Sequence, residues 1–463
     1  MKRRVLWLLG LTLWEIGCGG RTELDAVKQS AGTGGIDATG GIASTGTSFA
    51  GGSSGLGGTL GSSSGGFAPT GSAPASGGTH TDSGATNTAG SNTTGGTPET
   101  GGASSSGGAT ASSNVSYVAA GPRFACAVFK NGAWCWGQND YGQLGSGTLT
   151  NSSVPVQVQG LTSGVSAVAA GQKHTCAIVN GAAECWGGDN EAGLLGNGTL
   201  ANSSVPVQVE GLTSGVSAIA AGEYHSCAIV NGAARCWGFN QDAQLGSRTL
   251  ANSSVPVQVQ GLTSGVSAIA AGWYHSCAIV NGAARCWGYN DYGQLGNGTT
   301  ASNTMTPVQV QGLTAGVSAI SASGRHTCAI VSGAAQCWGN NDYGQLGDGT
   351  TTNSSVPVMV LGLTSGVTAI AAAGANTCAI VNDVAQCWGH NDNGQLGNGG
   401  STDASLPVQV LGLISGATAI AAGGLNGCAI VNGAVQCWGS NDLGQLGNGT
   451  TTDSSTPVAV LGL

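Results

Sequence analysis

The sequence predicts an all-β fold, a seven-bladed β-propeller, from three observations. Fourteen of the fifteen cysteines form seven pairs whose members are nine positions apart, and the pairs recur about every fifty residues. Each repeat contains four short apolar segments with alternating or β-branched residues, which is the strand content of one propeller blade. No segment shows a sustained 3.6-residue apolar period, since Gly and Ser interrupt every candidate helix. An open solenoid is the competing architecture, but no repeat looks like a polar cap.

The N-terminus predicts export and a lipid anchor. A basic start is followed by an apolar run that ends at Trp14, which is typical of a secretory signal and short for a transmembrane helix. Gly17 precedes Cys18 as in a bacterial lipoprotein box, although Glu15 stands where that box normally has Leu. Cys18 is also the only cysteine outside the seven pairs, so we expect it to be lipidated. The alternative is an ordinary signal peptide in residues 1–18 with an incidental odd cysteine.

A low-complexity linker follows the signal. Residues 19–114 are nearly all Gly, Ser, Thr, Ala and Asn. Such a segment buries too little apolar surface to offset its ordering entropy, so we expect disorder. A flexible chain of this length has an r.m.s. span of roughly 50–60 Å. We therefore predict a polar tether, which could also carry glycans, between the anchor and the repeats.

The second repeat shows how one spacing predicts a turn, a register and a covalent bond. Asn180-Gly181, flanked by apolar runs, predicts a two-residue type I′ hairpin. That turn places Cys176 opposite Cys185 in a non-hydrogen-bonded pair, where Cα atoms approach to roughly 4.5 Å, within reach of a disulfide. The seven predicted disulfides are Cys126–Cys135, Cys176–Cys185, Cys227–Cys236, Cys277–Cys286, Cys328–Cys337, Cys378–Cys387 and Cys428–Cys437.

The units fill the chain from residue 115 to its end. The first strand of each carries mostly small residues, so we expect it to lie innermost, where strands crowd the central channel. The last unit ends on the same sequence motif as the others. This leaves two ways to close the ring: unit by unit, or with a strand shared between the first and last blades. The predicted units span about 115–161, 165–212, 216–262, 266–313, 317–363, 367–413 and 417–463.

One consensus sequence recurs, with substitutions at individual positions, in the seven units: V-x-A-I-A-A-G-x-x-H-[ST]-C-A-I, then x-C-W-G-x-N-D-x-G-Q-L-G-x-G-T, then P-V-x-V-x-G-L. It resembles the RCC1-like (regulator of chromosome condensation) repeat family over about three quarters of the chain. The resemblance implies a seven-bladed propeller that binds other macromolecules through loops on its faces. The family includes a nuclear exchange factor for a small GTPase and secreted bacterial members. Because paired cysteines replace the usual aliphatic residues, we expect an oxidising compartment and the secreted bacterial lipoprotein type.

Two repeated side chains are expected to be structural. A histidine after the Gly-x-x step recurs in four units, spread around the ring, so these histidines cannot converge on one metal; we expect each to hydrogen-bond a neighbouring backbone. The tryptophan of every C-W-G is expected to pack between blades. The histidines are His174, His225, His275 and His326, with Phe124, Asn376 and Asn426 in the other units. The tryptophans are Trp136, Trp186, Trp237, Trp287, Trp338, Trp388 and Trp438.

Composition argues against several functions. The net charge is −9, and residues 115–463 contain seven Lys or Arg against fifteen Asp or Glu. Nucleic-acid binding needs a clustered basic face, so we expect no nucleic-acid partner. The sequence has no G-x-S-x-G, no H-E-x-x-H, no phosphate-binding loop opening a helix and no calcium-binding EF-hand spacing. We therefore predict no enzyme activity, no cofactor and no metal.

Variable positions within the constant repeat indicate where a partner would bind. The two residues between Gly and His differ in every unit, and the residue before the second cysteine also varies, as Trp, Glu, Arg or Gln. Constant frameworks with variable loops are typical of binding surfaces, and aromatic and Arg residues are the types enriched at hot spots. The alternative is neutral drift at exposed positions. The candidate binding residues are Trp273, Tyr274, Tyr224, Lys173, Arg123, Arg325, Trp134, Arg235 and Arg285.

These observations favour a non-enzymatic, exported protein that binds a protein partner as a monomer. We expect it at the outer membrane or cell surface through the lipid on Cys18, or otherwise secreted. A carbohydrate-binding module of the cell envelope, with sugar stacked on the aromatic residues, is the second hypothesis, and a purely structural envelope component is the third. Guanine-nucleotide exchange is suggested by family analogy alone, and the signal and disulfides argue against it.

Overall fold

The structure, a computed structural model, describes residues 102–104, 115–300 and 303–463. Residues 115–463 form seven four-stranded sheets, each built from consecutive antiparallel strands, so the predicted all-β propeller of seven blades is confirmed. Cys18, the predicted signal peptide and nearly all of the predicted linker lie outside the described residues. Among the residues described, no helix has the length and apolar character needed to cross a membrane.

The strands are numbered in chain order: β1 is Gly102–Ser104, and β2 to β29 form the blades, four strands to each. Blade 1 contains β2 (Val115–Ala120), β3 (Phe124–Phe129), β4 (Gly132–Gly137) and β5 (Ser152–Gln157). Blade 2 contains β6 (Val165–Ala170), β7 (His174–Val179), β8 (Ala182–Gly187) and β9 (Ser203–Gln208), with a 3₁₀ turn at Asn190–Ala192. Blade 3 contains β10 (Val216–Ala221), β11 (His225–Val230), β12 (Ala233–Gly238) and β13 (Ser253–Gln258). Blade 4 contains β14 (Val266–Ala271), β15 (His275–Val280), β16 (Ala283–Gly288) and β17 (Thr304–Gln309).

The remaining three blades repeat the pattern. Blade 5 contains β18 (Val317–Ser323), β19 (His326–Val331), β20 (Ala334–Gly339) and β21 (Ser354–Met359). Blade 6 contains β22 (Val367–Ala373), β23 (Asn376–Val381), β24 (Val384–Gly389) and β25 (Ala404–Gln409). Blade 7 contains β26 (Ala417–Ala422), β27 (Asn426–Val431), β28 (Ala434–Gly439) and β29 (Ser454–Ala459).

One short strand lies inside the predicted linker. Residues Gly102–Ser104 form β1, which pairs antiparallel with β2. These three residues of the predicted linker therefore pair with the first blade, while the rest of residues 19–114 lies outside the described residues. The physical reason is that the first strand of a blade has an unpaired inner edge, and such an edge accepts any extended chain that can satisfy its N–H and C=O groups.

The hairpin at the centre of each blade has the predicted register. In blade 2, Cys176 pairs with Cys185, and both turn residues have positive φ, 51° at Asn180 and 79° at Gly181. All seven predicted disulfides are present, with Cα–Cα distances of 4.0 to 4.1 Å. In blade 1, by contrast, the turn falls on Lys130-Asn131, because the nine-residue cysteine spacing fixes the register there.

The first strands form the inner ring of the propeller, as predicted. Each first strand contacts the first strands of both neighbouring blades, including β26 against β2 across the point of closure. The ring closes unit by unit, because the sheet of blade 7 contains only β26 to β29. Hydrogen bonds join the ends of the ring: for example, Trp136 Nε1 donates to the Gln445 carbonyl at 3.0 Å, and the Gly449 amide donates to the Ser153 carbonyl at 2.8 Å.

The core is divided among the boundaries between blades. At each boundary the disulfide of one blade packs with the tryptophan of the next, as Cys328–Cys337 does with Trp388. The Trp388 Nε1 donates to the Gln345 carbonyl of the preceding blade at 2.9 Å, so its one polar atom is satisfied although the side chain is fully buried. The same arrangement holds at the closure, where Cys428–Cys437 packs with Trp136. The predicted packing of tryptophans between blades is therefore confirmed.

Reduction of the disulfides should strongly lower thermal stability. Each closes a loop of about ten residues and contributes at most about 2–3 kcal/mol in the chain-entropy model, and seven together exceed the usual net stability of a domain. Since all fourteen paired cysteines are fully buried, the chain is reduced in denaturant, alkylated and refolded, and its thermal unfolding is followed by circular dichroism against the oxidised chain. Mass spectrometry counts the alkylated thiols. An unchanged melting temperature in fully alkylated protein would contradict the prediction.

Candidate binding surface

Two sets of loops lie at the same end of the blades. The Gly-x-x-His loops join first to second strands, and the N-D-x-G-Q loops join third to fourth strands. Because neighbouring strands are antiparallel, both sets lie at one end of the blade and the hairpin turns between second and third strands at the other. We call the first end the loop face. Most of the variable positions identified in the sequence belong to it.

The repeated histidines tie neighbouring blades together beneath the loop face. His326 Nε2 lies 2.9 Å from the Thr377 hydroxyl of the next blade, and that hydroxyl donates to the Gln345 carbonyl at 2.9 Å. The expectation of a backbone partner is therefore wrong: the partner is a side-chain hydroxyl one blade further on. The same contact joins His174 to Ser226, His225 to Ser276 and His275 to Thr327, at 2.8, 2.7 and 2.9 Å.

This geometry determines the protonation of the ring. The Thr377 proton is used on the Gln345 carbonyl, so the hydroxyl accepts from His326 and Nε2 carries the imidazole proton. The Nδ1 atom is buried and has no hydrogen-bond partner among the described residues. Burial therefore lowers the pKa of His326 to about 3, and the pKa of His174 to about 4. The histidines are therefore neutral, and each joins its blade to the next through a hydrogen bond.

Histidine occurs only where the next blade supplies the hydroxyl. Blade 6 has Asn376, and the position that would face it in blade 7 is Gly427; blade 7 has Asn426, and the position that would face it in blade 1 is Ala125. With its amide nitrogen turned inward, Asn426 donates instead to the Gly121 carbonyl at 3.0 Å. Each unit that has the histidine is followed by a unit with Ser or Thr at the facing position, so the sequence contains this pairing as a correlation between adjacent units.

Aromatic side chains of blades 3 and 4 and an arginine of blade 5 form a continuous cluster on the loop face. Tyr224 stacks on Tyr274 with ring centroids 5.2 Å apart. The Arg325 guanidinium lies 4.9 Å from the ring centroid of Tyr292 and 5.8 Å from that of Trp273, and its Nη1 donates to the Tyr292 hydroxyl at 3.0 Å. We call this set the aromatic–arginine cluster; it comprises Tyr224, Phe239, Trp273, Tyr274, Tyr289, Tyr292 and Arg325.

The cluster side chains are half-buried and hold one another in place. Burial and a hydrogen bond to Glu223 raise the pKa of Tyr224, and burial raises the pKa of Tyr274 and of the Glu223 carboxyl. The structure thus brings together four of the predicted residues: Tyr224, Trp273, Tyr274 and Arg325. It adds three that the sequence analysis missed, which are Phe239, Tyr289 and Tyr292. The sequence signal that could have identified these three residues is the same variability between units. Phe239 and Tyr289 directly follow Trp-Gly, and Tyr292 is the third residue of the N-D-x motif.

Two other predicted residues line a separate cavity on the loop face. Arg123 and Lys173 border a shallow cavity of about 260 Å³ between blades 1 and 2. The Lys173 ammonium lies 2.9 Å from an Asp189 carboxylate oxygen and 4.7 Å from the centroid of the Tyr141 ring. Burial alone would lower the pKa of Lys173, but the hydrogen bond and charge of Asp189 raise it. Lys173 is therefore already paired within the chain.

The last three predicted residues lie within the third strands, away from the cluster. Trp134 packs edge-on against Phe129, 6.3 Å between centroids, and Phe129 is the last residue before the hairpin turn of blade 1. Trp134 therefore contacts the hairpin end of its blade. Arg235 and Arg285 hold the equivalent position in blades 3 and 4, in register with Gln258 and Gln309 of the fourth strands.

The Asn and Asp residues of the third-to-fourth loops shape the backbone. Asn341 is representative: its Nδ2 donates to the Thr350 and Thr352 carbonyls at 3.1 Å, and its Oδ1 accepts from the Leu346 amide at 2.9 Å. A fully buried asparagine with all these partners organises the loop around itself. The loop glycines, such as Gly344 at φ 78°, adopt the left-handed conformation that the turn requires.

One group among the described residues has the composition of a metal site. His390 Nε2 and carboxylate oxygens of Asp392 and Asp403 lie within 4.8 Å of one another. However, Gln395 uses its Oε1 on the Asn393 amide, so its Nε2 donates to His390 Nδ1, and His390 Nε2 then carries the proton and faces Asp392 at 3.2 Å. A metal-binding histidine donates from its other nitrogen instead. The arrangement favours a hydrogen-bonded His–Asp pair.

Comparison with known proteins identifies the class. The RCC1-like domain family matches residues 111–424, and the regulator of chromosome condensation (RCC1) repeat matches residues 432–463. The protein is thus a β-propeller assembled from seven copies of one repeat. It belongs to the RCC1-like family, which confirms the resemblance seen in the sequence. No curated protein sequence matches the chain.

Solved structures show the same fold. Human WBSCR16 superimposes with a TM-score of 0.64 at 22% identity, covering 71% of this chain and 93% of WBSCR16. Prp20p from Saccharomyces cerevisiae, for which binding to Gsp1p and histones is described, gives a TM-score of 0.61 at 23% identity, covering 71% of this chain and 85% of Prp20p. At these identities the comparison establishes architecture and leaves the partner open.

Acidification should weaken the fold through the buried histidines. The unfolded histidine binds a proton with a pKa near 6.5, whereas His326 in the folded state does so at about 3. The unfolded state therefore holds more protons between these values, so stability is complete above pH 6.5 and falls as the pH decreases, by about 3 kcal/mol for this residue at pH 4. Denaturant unfolding of the wild type and of His326→Asn is compared at pH 7 and pH 4.

His326→Asn copies the residue that blades 6 and 7 already use at this position. It should have a smaller difference in unfolding free energy between the two pH values than the wild type has, whatever its absolute stability. His174→Asn is the second variant and should behave in the same way. Equal pH dependence in all three proteins would show that these histidines do not titrate on unfolding.

Proposed function

We propose that this protein is a non-enzymatic, exported, membrane-anchored binding protein that presents its propeller to a protein partner at the cell surface. Membership of the RCC1-like family and the propeller fold support a protein-interaction role. The observation that carries the proposal is the aromatic–arginine cluster on the loop face of blades 3 to 5. It lies where the repeat framework is constant and the loop residues vary.

The composition of the cluster suits a protein interface. Tyr, Trp and Arg are the residues that contribute most binding energy at such interfaces, since they combine large contact area with polar groups and little conformational freedom. The stacked Tyr224 and Tyr274 rings and the Arg325 contacts hold the side chains in one arrangement before binding. Preorganisation of this kind reduces the entropy lost when a partner docks.

The other hypotheses have less support. A sugar-binding platform needs an aromatic face open to a pyranose ring, whereas Tyr224 and Tyr274 stack on each other and Arg325 lies over Trp273. The buried histidines and the loop asparagines are engaged in structural hydrogen bonds, which leaves little from which to build catalysis. Nucleotide exchange rests on family membership alone. The seven cations of residues 115–463 are outnumbered by fifteen acidic residues, which disfavours nucleic acid.

Export is supported by the cysteines. Seven disulfides indicate an oxidising compartment, because thiols in reducing compartments are kept free. The signal-like residues 1–18 supply a route to such a compartment, and Cys18 supplies a place for a lipid. A tether of about 80 residues between Cys18 and β1 would then let the propeller reach roughly 45–55 Å from the membrane.

Truncating the cluster should remove partner binding. The full chain, with an affinity tag, is used to isolate binding proteins from the envelope of its own host, and wild type is compared with Trp273→Ala/Tyr274→Ala. Loss of two central aromatic residues should reduce capture by at least about tenfold, as expected for hot-spot positions. Quantitative mass spectrometry measures the captured protein, and direct binding to the purified partner confirms it.

Tyr343→Ala is the matched control, because Tyr343 is an exposed tyrosine of blade 5 that contacts His390 outside the cluster. It should capture as much partner as the wild type. Equal capture by the double variant would place the interface elsewhere. Binding on a glycan array that disappears in Trp273→Ala would support the carbohydrate hypothesis and count against a protein partner.

Replacing Cys18 should release the protein from the membrane. Lipidation requires the thiol of this residue, so Cys18→Ser should no longer incorporate labelled palmitate and should move to the soluble exported fraction. The seven disulfides should form as in the wild type, which non-reducing mass spectrometry checks. A wild-type chain that takes up no label, or a variant that stays in the membrane fraction, would contradict anchoring at Cys18.

A further inference from the structure

The charges of the propeller are divided between its two halves. From His326 to Leu463 the chain contains seven Asp and no Lys, Arg or Glu, whereas residues 115–325 contain all seven Lys and Arg of the propeller with eight Asp or Glu. We call residues 326–463, which comprise most of blade 5 and all of blades 6 and 7, the acidic sector. Six of its seven Asp are exposed. One side of the ring is therefore purely anionic.

The acidic sector also exposes leucine where the other blades expose polar residues. The second residue after the P-V-x of the fourth strand is Gln159, Glu210, Gln260 and Gln311 in blades 1 to 4. In blades 5 to 7 it is Leu361, Leu411 and Leu461, with relative exposures of 52%, 50% and 52%. Three consecutive blades thus make the same costly substitution at a solvent-facing position. Met359, Leu406 and Ile414 add further exposed apolar side chains to the sector.

Each of the three leucines lies over a loop glycine at a blade boundary, and two of them face an apolar residue of the next blade there. Between blades 6 and 7, Leu411 Cδ1 and the Thr456 methyl group lie 2.8 and 4.0 Å from the position of a Cβ on Gly399. Leu361 Cδ1 and Leu406 Cδ2 of the next blade lie 3.3 and 3.5 Å from the position of a Cβ on Gly349, so they flank the same loop glycine. Leu461 of blade 7 and Val154 of blade 1 flank Gly449 in the same way, at 3.1 and 4.0 Å.

The equivalent boundary between blades 1 and 2 is polar on one side. There the Oε1 atom of Gln159 lies 2.5 Å from the corresponding point on Gly147. The scaffold is therefore the same at both boundaries, and only the chemistry of the side chain over the glycine differs. A surface that exposes a leucine at three successive boundaries, two of them paired with a second apolar side chain, is characteristic of an interaction site.

We propose that Leu361, Leu411 and Leu461, with their boundary partners, form a second docking surface, the leucine band, which binds a cationic amphipathic segment of another protein. The apolar face of such a segment covers the exposed leucines. Its Lys or Arg residues meet the exposed carboxylates of the acidic sector, such as Asp403 and Asp453, which precede the fourth strands of blades 6 and 7. Charge complementarity sets the orientation and accelerates association.

The charges distinguish this occupant from two others. An anionic membrane surface is repelled by a sector whose only formal charges are carboxylates. A second copy of the chain would have to present its own cations, and these lie scattered over blades 1 to 5 in a half with net charge −1, so the complementarity would be weak. A segment that carries both apolar and basic residues satisfies both features of the band.

The test uses the full oxidised chain and a synthetic peptide whose leucines recur every three or four residues and whose other positions are lysine, so that it forms an amphipathic helix. Two further peptides serve as probes, one with Glu for every Lys and one with Ser for every Leu. The variant Leu361→Gln/Leu411→Gln/Leu461→Gln places in blades 5 to 7 the residue that blades 1, 3 and 4 already have. Fluorescence anisotropy should show the Leu/Lys peptide binding the wild type at least about tenfold more tightly than this variant, and more weakly as salt increases.

The matched control removes three exposed leucines from the other half: Leu149→Gln/Leu200→Gln/Leu250→Gln, at positions with relative exposures of 60%, 60% and 47%. It should bind the peptide as the wild type does, and so should Trp273→Ala/Tyr274→Ala, whose site is separate. Equal loss in both leucine variants, or equal binding of the Glu or Ser peptides, would overturn the proposal. So would a wild-type dimer in light scattering that becomes monomeric in the first variant, because a second copy would then occupy the band.

Discussion

The fold depends on one interaction repeated seven times, the packing of a disulfide against the tryptophan of the next blade. The disulfide fixes the central hairpin of its own blade, and the indole fills the boundary while its N–H satisfies a carbonyl that would otherwise be buried unpaired. Neither part can be displaced without exposing the other. The ring closes because Trp136 meets Cys428–Cys437 by the same rule, so closure needs no shared strand. With Gly at so many turns and so few large apolar residues in the strands, this interface supplies most of the bulky side chains of the core.

Most of this fold was predictable because its rules are local. A spacing of nine residues and a two-residue turn determine that Cys176 faces Cys185, and repetition carries that result around the ring. What the sequence analysis missed involves contacts between units. The hydroxyl partner of His326 is Thr377, about fifty residues away, and no pattern within one unit contains that pair. The sequence did not determine how the ring closes for the same reason, since the sequence of the last unit fits either topology.

The candidate site was predictable in position and only partly in membership. Repeat alignment places Tyr224 and Tyr274 at equivalent points of adjacent blades, and equivalent points on adjacent blades are neighbours, so their stacking follows. Tyr292 reaches Arg325 from a different loop of the preceding blade, and which loops meet depends on strand lengths and blade rotation. Trp134 shows the converse. Its variable position made it a candidate binding residue, yet it lies in a strand and contacts the hairpin end of its blade.

A ring held together at its blade boundaries can vary its surfaces at little cost, and this separation explains why two unlike surfaces occur on one propeller. The loop face concentrates aromatic and guanidinium groups on blades 3 to 5, where mutual stacking fixes them before any partner arrives. The leucine band instead relies on exposed side chains over loop glycines, in a part of the ring that contains no Lys or Arg. Blade 5 has Leu361 where blades 1, 3 and 4 have Gln, yet it keeps the disulfide, the tryptophan and the loop asparagine of the repeat. Because stability resides in the boundaries and recognition in the loops and outer strands, each surface can specialise without compromising the other.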